Sequence, residues 1–246
     1  MNKILIIGES CLDVYQHGDS NRLAPEAPVP VFRNNGVKKE NGGMAMNVYN
    51  NIKAISNIDT TLITNENYSN VQKIRFVDTR TNYVILRLDE NDDNYEKQDV
   101  RKYDYSNYDA VIISDYNKGF LTKDDIYYIS TKNNKVFLDT KKILGPWASL
   151  IAYIKINQFE YESTKEKITD DLRQRLIITL GPGGAKYRGI NYPVPKVEIK
   201  DTCGAGDTFL AGLVVEYVKS LDIGKAIRFA NSCATKVVQK KGVSIV

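Results

Sequence analysis

Five short apolar runs constrain the fold of this chain more than any other feature: KILIIG (3–8), AVIISDY (110–116), KVFLDT (135–140), AYIKIN (152–157) and LIITLG (176–181). They are rich in β-branched residues, and their apolar positions are continuous rather than alternating. A strand apolar on both faces must be buried on both, as in a parallel sheet covered by helices. Between two of these runs, TKDDIYYISTKNN (122–134) predicts a crossover helix capped by Thr122, with acidic residues in its first turn. GMAMNVYNNIKAI (43–55) places Met44, Val48, Ile52 and Ile55 on one helical face, with Asn on the other. Farther on, Phe209, Leu210, Leu213, Val214, Tyr217 and Val218 form a broad stripe, and IGKAIRFANSCATKVV supplies a second helix expected to pack beside it on the sheet. The expected class is α/β.

Two stretches break the rhythm. DVYQHGDSNRLAPEAPVPVFR (13–33) carries three prolines in extended sequence, and QKIRFVDTRTNYVILRLDE (72–90) alternates polar and apolar residues. Proline lacks the donor a central strand needs, so the first reads as an edge strand or irregular extension. The two together are expected to form a small β flap standing off the main sheet, within a single domain spanning 1–246.

Composition excludes several function classes. Lys plus Arg (34) and Asp plus Glu (30) leave a net charge of only +4, spread along the chain, whereas nucleic-acid binding favours a concentrated basic face. Cys11, Cys203 and Cys233 lack metal-ligand spacing and cannot all pair, which suits a reducing cytoplasm. The apolar run in MNKILIIGES is too short for a signal sequence, and no run is long enough for a membrane span. A cytoplasmic protein is therefore expected, without nucleic-acid or membrane partners. His17, the sole histidine, lies in the flap and reads as a passive surface residue.

The chemistry concentrates in EIKDTCGAGDTFLAGLVVEYV (198–218). A dinucleotide fingerprint would need Gly where Phe209 stands, and GPGGAK (181–186) lacks the second Gly before Lys186 and the Ser or Thr after it that a P-loop requires. What remains is a turn whose amides at Gly204, Ala205 and Gly206 can meet an anion at a helix start. On that reading Asp207 puts a carboxylate beside an anion site; taken alone, the same residues describe a helix merely capped by Asp207.

DTCGAGD (201–207) resembles the D-T-x-G-A-G-D signature of the ribokinase-like (PfkB-type) carbohydrate kinases. The resemblance implies a ribokinase-like three-layer sandwich with a central mainly parallel sheet and a small β lid. It makes Asp207 the catalytic base for a sugar hydroxyl, and Gly204, Ala205 and Gly206 the anion hole for the transferring phosphoryl group. General-base help is worth roughly 10²–10⁴-fold, and aligned donors act where charge develops. NGGMAMN (41–47) is similar to a second family signature, implying Gly42, Gly43 and Asn47 as sugar contacts, and IGESCLD implies Asp13 as another.

Within the family, LDVYQHGDSNRLAPEAPVPVF and SDYNKGFL (114–121) resemble the bacterial heptose-7-phosphate kinases, including the kinase half of the bifunctional ADP-heptose synthesis enzymes. APEAPVPV is the most specific part of that likeness. It implies Asp115 and Lys118 in the site, and Lys73, Arg75 and Arg87 as charge for a sugar phosphate. On the nucleotide side, KINQFE resembles an N-x-x-E segment, implying Asn157 and Glu160 near Mg²⁺ and its waters. TLGPGGA implies Thr179, Gly181 and Gly184 beside ATP, DTKK implies Lys141 near phosphate, and the resemblance also brings Thr202 and Asn231 to the nucleotide.

The implied reaction carries the γ-phosphoryl of ATP, with Mg²⁺, to the anomeric hydroxyl of D-glycero-β-D-manno-heptose 7-phosphate. Same-family kinases for another sugar, such as fructose or ribose, and a degenerate kinase serving as a sugar or nucleotide sensor are the alternatives. The partners implied are a sugar or sugar phosphate, ATP and a second copy of the chain through the lid. The chain is shorter than the group's usual kinase between Ile55 and Lys73, which is expected to trim one sheet edge. No nucleotidyltransferase half follows in this sequence, so only the kinase step is expected.

Overall fold

The computed structural model describes residues 2–240, 242 and 244–246. In chain order the elements are β1 (Lys3–Gly8), β2 (Ser10–Asp19), β3 (Arg33–Met44), α1 (Ala45–Ile55), β4 (Asp59–Ile63), β5 (Gln72–Asp78), β6 (Val84–Glu90), β7 (Ala110–Asp115), α2 (Lys123–Lys132), β8 (Val136–Thr140), β9 (Tyr153–Asn157), α3 (Gln158–Thr164), α4 (Asp170–Arg173), β10 (Leu176–Thr179), β11 (Ala185–Tyr187), β12 (Ile190–Tyr192), α5 (Ala205–Ser220) and α6 (Ile223–Val237).

Eight strands form the main sheet in the order β12-β11-β10-β9-β8-β7-β1-β4. From β10 to β4 every pairing is parallel; β11 runs antiparallel to both its neighbours, β10 and β12. The apolar runs are its middle strands, and alternation sends their side chains into two cores. Ile4, Ile6 and Ile112 pack with Val48 of α1 and Leu213 of α5; Leu5, Ile7, Val111 and Ile113 pack with Ile126 and Ile129 of α2. This is a helix–sheet–helix sandwich, the three-layer arrangement expected from the sequence. Each such buried side chain contributes about 1.5–3 kcal/mol relative to exposure.

The cap expected at Thr122 is present, and it forms a capping box: its side chain accepts from Asp125 N while the Asp125 carboxylate accepts from Thr122 N. α1 starts at Ala45, with Met44 outside it at φ 59°. No helix among the described residues is long and apolar enough to cross a membrane.

The second sheet has the order β3-β2-β5-β6. Its strands differ from the sequence expectation for 13–33. β2 begins at Ser10, β3 occupies 33–44, and the intervening 20–32 is irregular apart from a Leu23–Pro30 bridge. Pro25, Pro28 and Pro30 explain the gap, since none can donate to a ladder. β3 carries no hydrophobic alternation because Arg33–Glu40 is exposed throughout on an edge strand. In the region 72–90, β5 and β6 pair antiparallel from Gln72↔Glu90 to Val77↔Val84. On the far side of the main sheet, five-residue β4 is the edge, with no strand beyond it among the described residues.

Candidate active site

The carboxylate of Asp207 is the centre of the site. It sits in the first turn of α5, is buried, and does not cap the helix: Gly204 holds the N-cap position in the left-handed region (φ 76°), with no side-chain cap. The two oxygens are held from opposite sides. Asn47 of α1 donates to Oδ2 at 2.9 Å, and the Tyr116 phenol, just past β7, donates to Oδ1 at 2.7 Å. Burial raises the Asp207 pKa to about 6, with these two hydrogen bonds and Lys155 opposing the rise and Asp139 adding to it. Burial, together with Asp207, pushes Tyr116 well above its ordinary value, so the phenol stays a donor.

Two cavities share the turn before α5 as a wall. Gly204 and Asp207 line one of 430 Å³, which opens under the second sheet. Ala205 and Gly206 line the other, of 420 Å³, with Thr202, Thr179, Gly181, Gly184 and Asn231. Asp207 in the first cavity is thus the next residue along the chain after two that line the second. Of the three turn amides, Ala205 N donates to Thr202 O at 3.2 Å; those of Gly204 and Gly206 have no backbone partner among the described residues.

The first cavity is charged with both signs. Asp13 accepts from Arg75 at 2.5 Å, and Arg87 grips Asp89 through Nε and Nη2. Asp92 bridges two lysines, Lys73 at 2.7 Å and Lys118 at 2.5 Å. Burial works to raise Asp92, but hydrogen bonds from Lys118, Lys73 and Tyr95 hold it at about 2. Lys141 lines this cavity too, its ammonium 5.6 Å from the centre of the Tyr116 ring.

Residues 56–246 match the model of the pfkB family carbohydrate kinases. The chain belongs to that family. Over 303 aligned positions it is 31% identical to the bifunctional protein HldE of Helicobacter pylori strain G27, covering 100% of this chain and 64% of that protein. HldE of Aliarcobacter butzleri is 30% identical, with 97% of this chain and 61% of that protein covered. The pfkB-family chain thus spans less than two thirds of the length of these relatives. Its fold is similar to that of Thermotoga maritima ribokinase (TM-score 0.74, 16% identity, 99% of this chain and 95% of that one). It is similar also to Escherichia coli phosphofructokinase-2 (TM-score 0.71, 16% identity, 100% and 95%). Membership of this family of carbohydrate kinases implies phosphoryl transfer to a sugar hydroxyl, with ATP as co-substrate.

In this pfkB-family kinase, several residues read from sequence as ligand contacts instead support the site. Gly42 and Gly43 lie on β3 against β2 and line neither large cavity. A Cβ on Gly43 would stand 2.3 Å from Asp13 Oδ2 and 2.7 Å from Cys11 Sγ, so this glycine makes room for Asp13. Asn47 is buried on Asp207, and the Asn face of α1 is an interior face. Asp115 is buried outside the cavity, its oxygens taken by Lys142 at 2.5 Å and by the Thr140 hydroxyl. Asn231 lines the second cavity but donates to Tyr192 O at 2.8 Å. Burial and Asp201 raise the Cys203 pKa above its ordinary value.

Asn157 and Glu160 cap each other at the start of α3, Asn157 Oδ1 accepting from Glu160 N and Glu160 Oε2 from Asn157 N. The other Glu160 oxygen meets Lys141. No group of three or more His, Cys, Asp or Glu among the described residues is placed to hold a metal. With both oxygens of Glu160 engaged, the pair fits Mg²⁺ only as a contact through water, which suits an ion that keeps several waters.

Sequence reasoning passed over Tyr116, Glu9, Asp92, Asp139 and Lys155. Glu9 is fully buried and accepts from Tyr116 N and Lys118 N, tying the end of β1 to the 116–118 turn. The available signal was a charged or hydroxylated residue at the end of an apolar strand, where a buried polar group must have a partner.

Proposed function

We propose that this kinase phosphorylates the anomeric hydroxyl of D-glycero-β-D-manno-heptose 7-phosphate. The observation that carries the reading is the buried carboxylate of Asp207 on the wall of a cavity rimmed by Lys73, Arg75, Arg87 and Lys118. A sugar phosphate placed there would meet ammonium and guanidinium groups at one end and a base at the other. The HldE relatives and the APEAPVPV and SDYNKG likeness support the heptose over other sugar phosphates.

In this mechanism Asp207 takes the proton of the attacking hydroxyl, with Asn47 and Tyr116 fixing the carboxylate. The amides of Gly204 and Gly206 hydrogen-bond the transferring phosphoryl group at the positive end of α5, and that of Ala205 joins them on leaving Thr202. Thr202, Thr179, Gly181, Gly184 and Asn231 border the nucleotide. Bound Mg²⁺ supplies charge neutralisation on the phosphates, and Glu160 and Asn157, with Lys141 beside them, would hold it through water.

A second reading is favoured by the counter-ions. Asp13, Asp89 and Asp92 already pair with Arg75, Arg87, Lys73 and Lys118, an arrangement that also suits an uncharged sugar such as fructose or ribose. A coupled ADP-release screen across sugars and sugar phosphates separates the two. Release with heptose 7-phosphate alone supports the first, release with a neutral sugar the second, and release with neither points to a binding protein.

The proposal extends to a single kinase domain across 1–246, with the second sheet as lid and a homodimer formed through it. Val37, Val84 and Leu86, exposed on the lid strands, favour that contact. Three free cysteines fit a cytoplasmic protein.

A further inference from the structure

Asp139 and Lys155 face each other in register on β8 and β9. Lys155 Nζ donates to Asp139 Oδ2 at 2.6 Å, and each residue is only 5% exposed. Replacing a buried ion pair by apolar residues of similar volume is often neutral or stabilising. Phe137 and Tyr153, two positions back on the same two strands and so on the same face, pack in the apolar core beneath α5, which shows that this face accommodates such residues. Packing alone therefore does not account for the pair.

Three further observations indicate what does. First, an ammonium carries three donors, and Asp139 is the only hydrogen-bond partner of Lys155 among the described residues. Second, a Cβ on Gly206 would lie 2.9 Å from Lys155 Nζ, so the ammonium sits against the first turn of α5, and only glycine leaves it that place. Gly206 lines the nucleotide cavity, and Lys155 feels both Asp207 and Glu160 electrostatically. Third, Asp139 Oδ1 is buried with no hydrogen-bond partner among the described residues; as an acceptor it can be met by water but by no phosphoryl oxygen, so the member of the pair suited to an anion is Lys155.

We propose that Lys155 is a catalytic cation that donates to an oxygen of the transferring phosphoryl group, with Asp139 as its positioning residue. This rests on the reading of the turn at 204–206 as the phosphoryl site. As the sugar oxygen bonds to the γ-phosphorus, the bond from that phosphorus to the β,γ-bridging oxygen breaks and its electron pair leaves on ADP. The sugar proton goes to Asp207. Lys155 remains protonated throughout and offsets charge that the turn amides meet from the other side.

The test uses Lys155→Met and the double variant Lys155→Met/Asp139→Asn, the second of which leaves no unpaired buried charge. Affinities for ADP and for β,γ-imido-ATP are measured by calorimetry, and kcat with heptose 7-phosphate. The folded double variant is expected to bind ADP within about 3-fold of wild type, to bind the ATP analogue roughly 10-fold more weakly, and to lose ~10²–10³-fold in kcat. Should it not fold, Lys155→Gln, which keeps a donor for Asp139, is read on the same ratios. Equal weakening of the two nucleotides, or wild-type kcat in a folded variant, overturns the proposal. The nucleotide ratio needs no sugar, so failure of the heptose reading leaves this test standing.

Discussion

The phenol of Tyr116 donates to Oδ1 of Asp207 at 2.7 Å, joining residues 91 positions apart in the chain. It connects the end of a sheet strand to the first turn of α5 and fixes the carboxylate. Tyr116→Phe removes that donor with little change in volume. A hydrogen bond to a charged group contributes about 1.5–3 kcal/mol, so kcat should fall roughly 10- to 100-fold. Because this bond opposes the effect of burial, the acid limb of the pH profile should move upward from its wild-type position; an unmoved limb would show that Tyr116 does not act on the base.

Wild-type kcat/KM should rise with pH through about 6, where burial places the Asp207 pKa. Only the carboxylate form accepts a proton, so activity is low below that point. A pH–rate profile flat from pH 5 to 8 would contradict the assignment.

The same shift predicts stability. The folded pKa of Asp207 lies above its unfolded value of 3.8, so the ionised group opposes folding at neutral pH. The penalty is complete above about pH 6 and vanishes below about pH 4. Asp207→Asn should therefore melt higher than wild type at pH 8, by up to roughly 3 kcal/mol, with the advantage shrinking as pH falls to 4. Parallel melting curves of the two proteins across that range would contradict the burial argument.

Gly43→Ala places a methyl 2.3 Å from Asp13 Oδ2 and should displace that carboxylate from Arg75. The expected result is a raised KM for the sugar at unchanged KM for ATP, with overpacking costing about 1–3 kcal/mol. Steady-state kinetics with each substrate varied in turn would reveal the split.

The middle strands were legible because a doubly buried strand is apolar along most of its length, and α2 because Thr122 and the acidic first turn mark a helix start. β3 was not legible: Lys38, Lys39 and Glu40 are what an exposed edge strand carries and equally what a loop carries. The β11–β12 hairpin turns at Arg188 and Gly189, both at positive φ, a signal only two residues long. At the site, the motif in 201–207 located Asp207, but residues bonded to it come from 47 and 116. A family motif does not distinguish a side chain that touches substrate from one that supports the site: the likeness implies Asn47 and Asp115 as sugar contacts, whereas Asn47 bonds Asp207 and Asp115 bonds Lys142 and Thr140.

The most direct measurement is turnover of Asp207→Asn in a coupled ADP-release assay, with nucleotide affinity measured on the same protein. Loss of roughly 10²–10⁴-fold in kcat with ATP affinity retained is the predicted result. A near-normal rate in the folded Asn variant would contradict the role of Asp207 as the base.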